Sequence, residues 1–178
     1  MIDTELLKQF EFFSNIDQDE LEKISQLCVT QEFNSGDIIF NQNEKAEKLY
    51  GVLEGEVELR AVFKEKTITK EIQYEESVHT KEETVEKPIK VSTIGPNKVF
   101  SWSAFVKPKK STATAVCLKD TRVFFLPATE IYTIFEKDPA FGYIFMTRLS
   151  EIICRRLRER TEKLVEIWSD TFGTGEID

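Results

Sequence analysis

Between Val29 and Leu126, turn-forming residues recur at short intervals, separated by short runs rich in β-branched and aromatic residues. In "EFNSGDIIF", Gly36 suits a position of positive φ just before a strand. "EKLYGVLEGEVEL" holds two strand-like runs joined tightly at Glu54-Gly55, which predicts a hairpin. "KVSTIGPNKVF" is punctuated by Gly95-Pro96-Asn97. "TATAVCLKDTRVFFL" gives a further strand pair turning near Lys119-Asp120. Many short strands spaced by such turns fold into a sandwich, roll or barrel.

Helical patterns flank this region. Before Cys28, Leu6, Leu7 and Phe10 form one apolar stripe. Asp17, with Glu20 three residues later, has the pattern of a capping box. Leu21, Ile24, Leu27 and Cys28 then recur at helical spacing. After Leu126, "PATEIYTIFEKD" opens with a proline, which the first turn of a helix accepts. A second C-terminal helix starts at Pro139 and runs for nearly thirty residues, to Trp168. In it Ile153, Leu157, Leu164 and Ile167 form a seam, with Arg160 filling the gap. That spacing predicts coiled-coil-like pairing with a second copy of the chain, hence a homodimer. The competing arrangement lays the helix on its own β-region. The expected class is α+β: one domain over residues 1–168, with N-terminal helices over 1–28, a β-region over 29–126 and C-terminal helices over 127–168. Residues 169–178 are left as an acidic tail.

One segment breaks the regular spacing. Between Gly55 and Gly95 there is no glycine, and Pro88 is the only proline. The stretch is densely charged with both signs, most of all over about 64–90. It predicts a two-stranded ribbon, Glu56 to about Tyr74 and about Thr84 to Ile94, with a mobile tip near His79. A disordered loop is the alternative.

Composition removes several functions. The net charge of −8 argues against direct nucleic-acid binding, though it leaves room for a local basic face. The start "MIDTELLKQF" lacks a basic segment followed by a long apolar run, so no secretory leader is expected. No apolar run approaches the length of a membrane span. Cys28, Cys117 and Cys154 are odd in number and far apart, which fits a reducing cytoplasm better than a disulfide framework. They form no CxxC pair, and His79 is the only histidine, so neither zinc, an iron–sulfur cluster nor haem is expected. No nucleophile–base pair can be assembled either. The chain is expected to be non-catalytic.

The remaining chemistry lies in "FSWSAFVKPKKSTATAV", Phe100 to Val116. Small residues after an aromatic, then a Lys-Pro-Lys-Lys turn and a strand, suggest a backbone cradle for an anion. With it go four spaced motifs: Phe33 to Ile39 as F-x-x-G-D-x-I, Tyr50 to Val57 as Y-x-V-x-x-G-x-V, Ile94 to Phe100 as I-G-P-x-x-x-F, and Thr112 to Ala115 as T-A-T-A. Together with "RLSEIICRRLRERTEKL", they resemble the cyclic-nucleotide-binding effector domain of bacterial catabolite-activator and fumarate-nitrate (Crp/Fnr) regulators. The resemblance covers about residues 4–168. It implies an antiparallel β-roll, or double-stranded jelly roll, with N-terminal helices and a long C-terminal dimerisation helix. The ten residues after Trp168 are too short for the helix-turn-helix reader of those regulators.

The resemblance also implies a ligand site, and this sequence departs from it. In the family the cassette opens with a glycine-glutamate pair, whose carboxylate accepts a hydrogen bond from the ribose 2′-hydroxyl. An arginine near its end pairs with the cyclic phosphate. Here Ser101, Trp102 and Ser111 stand at those three positions. Trp102 has no acceptor, and Ser111 has no charge. Each lost charged hydrogen bond costs about 1.5–3 kcal/mol, so weak cyclic AMP and cyclic GMP binding is expected. The candidate ligand residues are Ser101, Trp102, Ser103, Ala104, Lys110, Ser111 and Thr112 in the cassette, and Arg160 and Thr161 on the C-terminal helix. The candidate ligand is nucleotide-like or another anionic small molecule. Lys109 and Lys110 either turn toward an anion or solvate a loop. Trp102 either lids a flat ligand or fills the pocket. Arg160 either replaces the missing arginine or forms a salt bridge. These options define an effector-sensing domain on one side and a ligand-free dimerisation or protein-interaction module on the other, the latter including an accessory to a transcription regulator. An open cavity beside Ser101–Ala104 would favour the first, and a pocket plugged by Trp102 and Phe105 the second.

Overall fold

The computed structural model describes residues 2–14, 16–72 and 78–173, with residues 64–72, 78–85 and 172 described by backbone alone. The chain begins with α1 (Thr4–Lys8), a 3₁₀ turn at Glu11–Phe13 and α2 (Gln18–Leu27). Eight strands follow: β1 (Val29–Phe33), β2 (Ile38–Phe40), β3 (Lys48–Glu54), β4 (Val57–Ile72), β5 (Val78–Ile94), β6 (Val99–Phe100), β7 (Thr114–Cys117) and β8 (Thr121–Pro127). A second 3₁₀ turn, Trp102–Ala104, lies between β6 and β7. The helices α3 (Ala128–Lys137) and α4 (Pro139–Phe172) complete the described fold.

The strands form two four-stranded sheets, ordered β1-β8-β3-β6 and β2-β7-β4-β5, with every pairing antiparallel. This is the β-roll the sequence predicts, and two of its junctions differ from expectation. The runs joined at Glu54-Gly55 are not a hairpin: β3 lies in one sheet and β4 in the other. Likewise β7 and β8 turn at Lys119-Asp120 but belong to different sheets. Both connections are corners where the chain crosses between layers. Gly55 sits at φ 92°, and a Cβ there would collide with Thr121 and the Asp120 carbonyl, so the two corners interlock. The charged segment does form one hairpin, β4 against β5, paired from Val57–Ile94 to Ile72–Val78 with one register shift between Leu59 and Arg60. Its second strand begins earlier than predicted. His79 pairs with Glu71, next to the last described pair, and the predicted tip near it lies outside the described residues. The predicted end of the first strand at Tyr74 lies outside the described residues.

Two apolar clusters hold these layers. Between the sheets, Val52, Val57, Phe100, Ala115 and Val123 are buried. Between the first sheet and the helices lies a larger cluster that includes Leu7, Phe10, Phe13, Phe124, Ile131, Phe141 and Phe145. Here Phe145 of α4 packs edge-on against Phe12, with ring centroids 4.8 Å apart, and lies 5.1 Å from Phe105. The first half of α4 is thereby fixed to the roll. Asp138 caps that helix by accepting a 3.0 Å hydrogen bond from the Phe141 amide. Asp17 precedes α2 as predicted but makes no side-chain cap bond. Instead of closing a capping box, Glu20 has its carboxyl pushed up by burial and by the nearby Asp138 carboxylate.

The cysteines separate sharply by environment. Cys28 and Cys117 are buried and Cys154 is exposed. Burial pushes the Cys28 thiol up to about 12, and that of Cys117 is also raised by burial first. A thiolate-specific disulfide reagent at neutral pH should therefore modify one cysteine quickly in the native protein and the other two only after denaturation. Mass mapping that found fast modification at Cys28 or Cys117 would contradict this packing.

Candidate functional site

The cassette begins where β6 ends. Ser101 is left-handed, at φ 67° and ψ 36°, the position where the family resemblance puts glycine. This reverses the chain into the turn Trp102–Ala104, whose bonds run from Ala104 N to Ser101 O (3.2 Å) and from Phe105 N to Trp102 O (3.0 Å). Ser103, Ala104 and Phe105 are buried, and half-buried Trp102 packs against the larger core cluster. Ser111 is also buried, held by its amide donating to Glu44 O and its carbonyl accepting from Asn43 N, both at 2.8 Å. Thr112 and Lys110 are exposed. Lys110 forms a bridge with Lys45 across the neighbouring loop. Lys109 places its ammonium 4.6 Å from the centre of the Tyr132 ring, a cation–π contact on the α3 side.

Two cavities touch the cassette. One, of about 20 Å³, is walled by Phe40, Leu59, Trp102, Ser111, Arg156 and Arg160. One water occupies roughly 10–15 Å³ on this measure, so the space holds about a single water. The other, of about 190 Å³, opens toward Glu44, Lys48 and Tyr50 and shares Ser101 and Ser111 with the first. Neither Lys109 nor Lys110 lines either cavity.

The cations of the small cavity come from α4, whereas Lys45 and Lys48 line the larger one. Arg160 lines the small cavity, as does Arg156 one helical turn before it. Arg156 Nη2 donates to the Val99 carbonyl at 2.9 Å. Its guanidinium holds its proton less tightly than usual, first because it is desolvated and next because Arg160 is close. Among the described residues, neither arginine has a carboxylate within salt-bridge distance. The sequence singles out Arg160 but not Arg156. The i, i+4 spacing of the two, which places them on one helix face, was the available signal. Phe40 and Leu59 were missed because strand pattern alone does not say which inward residues face the cassette.

The other predicted helix residues divide. Thr161 donates its hydroxyl to Leu157 O at 2.9 Å, within its own helix. Ile153 is half-buried against the core. Leu157, Leu164 and Ile167 are 64%, 61% and 62% exposed. Arg155 makes a two-pronged pair with Glu11, at 2.7 and 2.8 Å, and the hydrogen bond from Arg155 holds that carboxyl below its usual range. Among the described residues, no cluster of His, Cys, Asp and Glu could hold a metal, and no helix is long and apolar enough to cross a membrane.

The chain belongs to the cyclic nucleotide-binding domain family, whose sequence profile matches residues 30–138. Solved structures agree. A candidate cyclic nucleotide-binding protein from Geobacter metallireducens GS-15 is 25% identical, with 88% of this chain and 99% of that one aligned at a TM-score of 0.67. The catabolite activator protein of Thermus thermophilus is 20% identical over 88% of this chain and 62% of its own, at 0.60. The regulatory domain of Toxoplasma gondii PKA, solved with cAMP, is 17% identical over 88% of this chain and 48% of its own, at 0.62. No match is found among curated proteins.

The left-handed serine makes a direct prediction. Replacing Ser101 with glycine removes a Cβ from a strained conformation and should stabilise the fold by about 1 kcal/mol, raising the midpoint of thermal unfolding by roughly 2–4 °C. Ser101→Ala, which keeps the Cβ, should give no such gain. A lower midpoint for Ser101→Gly, measured by calorimetry, would refute the assigned turn.

Proposed function

We propose that this chain is a non-catalytic, cytoplasmic effector-sensing domain whose functional unit spans residues 1–168, and that its cassette is not a high-affinity cyclic AMP site. One observation carries the reading. The small cavity by Ser101, Trp102, Ser103 and Ser111 is bounded by an indole and a neutral hydroxyl, and its charges, Arg156 and Arg160, come from α4 instead. An anionic effector would therefore be held from the helix side, with Ala104, Lys110, Thr112 and Thr161 as surrounding positions. A second reading, a ligand-free dimerisation or protein-interaction module, is favoured by the size of that cavity, which admits about one water.

Calorimetric titration separates these readings from ordinary nucleotide binding. Cyclic AMP and cyclic GMP should bind more weakly than micromolar, the level that corresponds to about −8 kcal/mol. In the triple variant Ser101→Gly, Trp102→Glu, Ser111→Arg, measurable nucleotide binding should appear, because a ribose acceptor and a phosphate fork are restored and a ring is removed. Micromolar or tighter binding by the wild type would end the proposal. A folded triple variant that stays silent at millimolar nucleotide would favour the ligand-free module.

The domain is further proposed to act as a homodimer through α4. Supporting this, Leu157, Leu164 and Ile167 are more than half exposed in a single copy, at near-heptad spacing. Leu157→Lys with Leu164→Lys should convert a sedimenting dimer to monomer. A wild-type monomer, or a dimer indifferent to both lysines, would remove this part of the reading.

A further inference from the structure

Arg156 and Arg160 stand one helical turn apart on α4, and both line the small cavity by the cassette. Facing them from the cassette are Ser103 and Ser111, and Phe40, Leu59 and Trp102 supply apolar wall. The space measures about 20 Å³. At roughly 10–15 Å³ per water, it holds one particle about the size of a water.

The two arginines are like charges without a counter-charge. Arg156 is half-buried, and its proton is loosened first by desolvation and next by Arg160. Glu159 opposes this more weakly than Arg160 promotes it, and it stands beyond salt-bridge distance. The nearby acids Glu11 and Glu151 are engaged by Arg155 and Arg148. Arg156 gives one bond to the Val99 carbonyl, which uses one of the several N–H donors of a guanidinium. The serines complete the set. Ser103 and Ser111 are 6% and 5% exposed, and among the described residues neither hydroxyl has a hydrogen-bond partner. The sealed, unpartnered side-chain oxygens among the described residues are those of Glu20 and Thr93, so both serine oxygens keep accessible surface. Ser111 borders the larger cavity as well.

These walls define a ligand by complement. A desolvated charge is stabilised by an opposite charge, and guanidinium groups only donate. The occupant is therefore an acceptor that is also negative. Size narrows it further. Sulfate and phosphate have five heavy atoms, and an organic carboxylate has at least three. A halide is little larger than a water. Water itself would bond to the hydroxyls but would leave the two cations unneutralised. We propose that the small cavity binds a single halide ion, chloride in kind, between the Arg156 and Arg160 guanidinium groups and the Ser103 and Ser111 hydroxyls. This assignment, which rests on the reading of the cassette as an effector site charged from α4, narrows the anionic effector to a halide. Two of the ion's partners belong to the helix and two to the cassette, so the ion ties one to the other. Without it Arg156 and Arg160 repel, and the middle of α4 is seated less firmly.

The test is a nuclear magnetic resonance titration of the full chain at constant ionic strength, with sodium gluconate as the balancing salt. The probes are sodium chloride, bromide and sulfate, and the thermal midpoint is recorded alongside the backbone amides. Chloride and bromide should give saturable shifts at Ser103, Ser111, Arg156 and Arg160, and should raise the midpoint as binding to the folded state requires. Sulfate should bind at least about tenfold more weakly, a difference of about 1.4 kcal/mol. Arg160→Met should weaken chloride by about tenfold or more. In gluconate alone the same variant should raise the midpoint, because one of two like charges is gone. Ser111→Ala should weaken chloride several-fold, an independent check from the cassette side. Absence of saturable shifts with chloride, sulfate binding as tightly as chloride, or an Arg160→Met protein that binds chloride like the wild type would each overturn the halide site. If sulfate saturates the same amides and chloride does not, the halide assignment fails and the effector site charged from α4 stands. If no anion moves them, both fall and the ligand-free module gains.

Discussion

The contact on which the architecture turns is that of Phe145 with its ring neighbours. Its centroid lies 4.8 Å from Phe12, 5.1 Å from Phe105, 5.3 Å from Phe135 and 5.9 Å from Phe141. These four belong to the N-terminal turn, the end of the cassette, α3 and the first turn of α4. One buried ring thus joins the cassette to both C-terminal helices and to the start of the chain. Aromatic pairs of this kind add about 0.5–1.5 kcal/mol each beyond the area they bury. Because Phe105 immediately follows the Trp102–Ala104 turn, a shift of α4 at this point cannot leave the cassette where it is. Cassette and helix form one mechanical unit.

Much of the fold was legible because it is written in local signals. Glycine at Gly36 and Gly55 marks positive φ, and the observed angles are 90° and 92°. Helical spacing gives α2, prolines at first helical turns give the starts of α3 and α4, and the gap between Gly55 and Gly95 gives the ribbon. Pairing was less legible. A tight turn between two strand-like runs looks the same in sequence whether the chain folds back on itself or crosses to a second sheet. At Gly55 and at Asp120 it crosses, and the interlocking of those corners is a long-range fact that no local window contains. The capping box failed for a related reason. Glu20 faces Asp138, more than a hundred residues away, and that neighbour sets its behaviour.

The candidate site shows the same division. That Ser101 stands where the resemblance puts glycine was readable from motif spacing, and the structure makes it left-handed. The charge that faces them was not. It comes from Arg156 and Arg160, brought in by a helix that starts more than twenty residues after the cassette ends, and its electrostatic state follows from burial. The lysines beside the cassette, the nearer cations in sequence, line neither cavity, and Lys109 rests on Tyr132. Distance along the chain was a poor guide to distance in space.

The β4–β5 ribbon has a consequence for how copies of this protein coexist at high concentration. Its outer strand, β5, ends the sheet and presents an edge to solvent. Open edges invite another strand to add on, which leads to aggregation. Here the exposed stretch from Glu86 to Lys90 interrupts that invitation. Pro88, opposite Val62, has no amide hydrogen to offer an incoming strand, and Glu86, Lys87 and Lys90 would have to be stripped of water beside it. A hairpin of 16 and 17 residues can therefore project from the roll without becoming a template for fibrous growth.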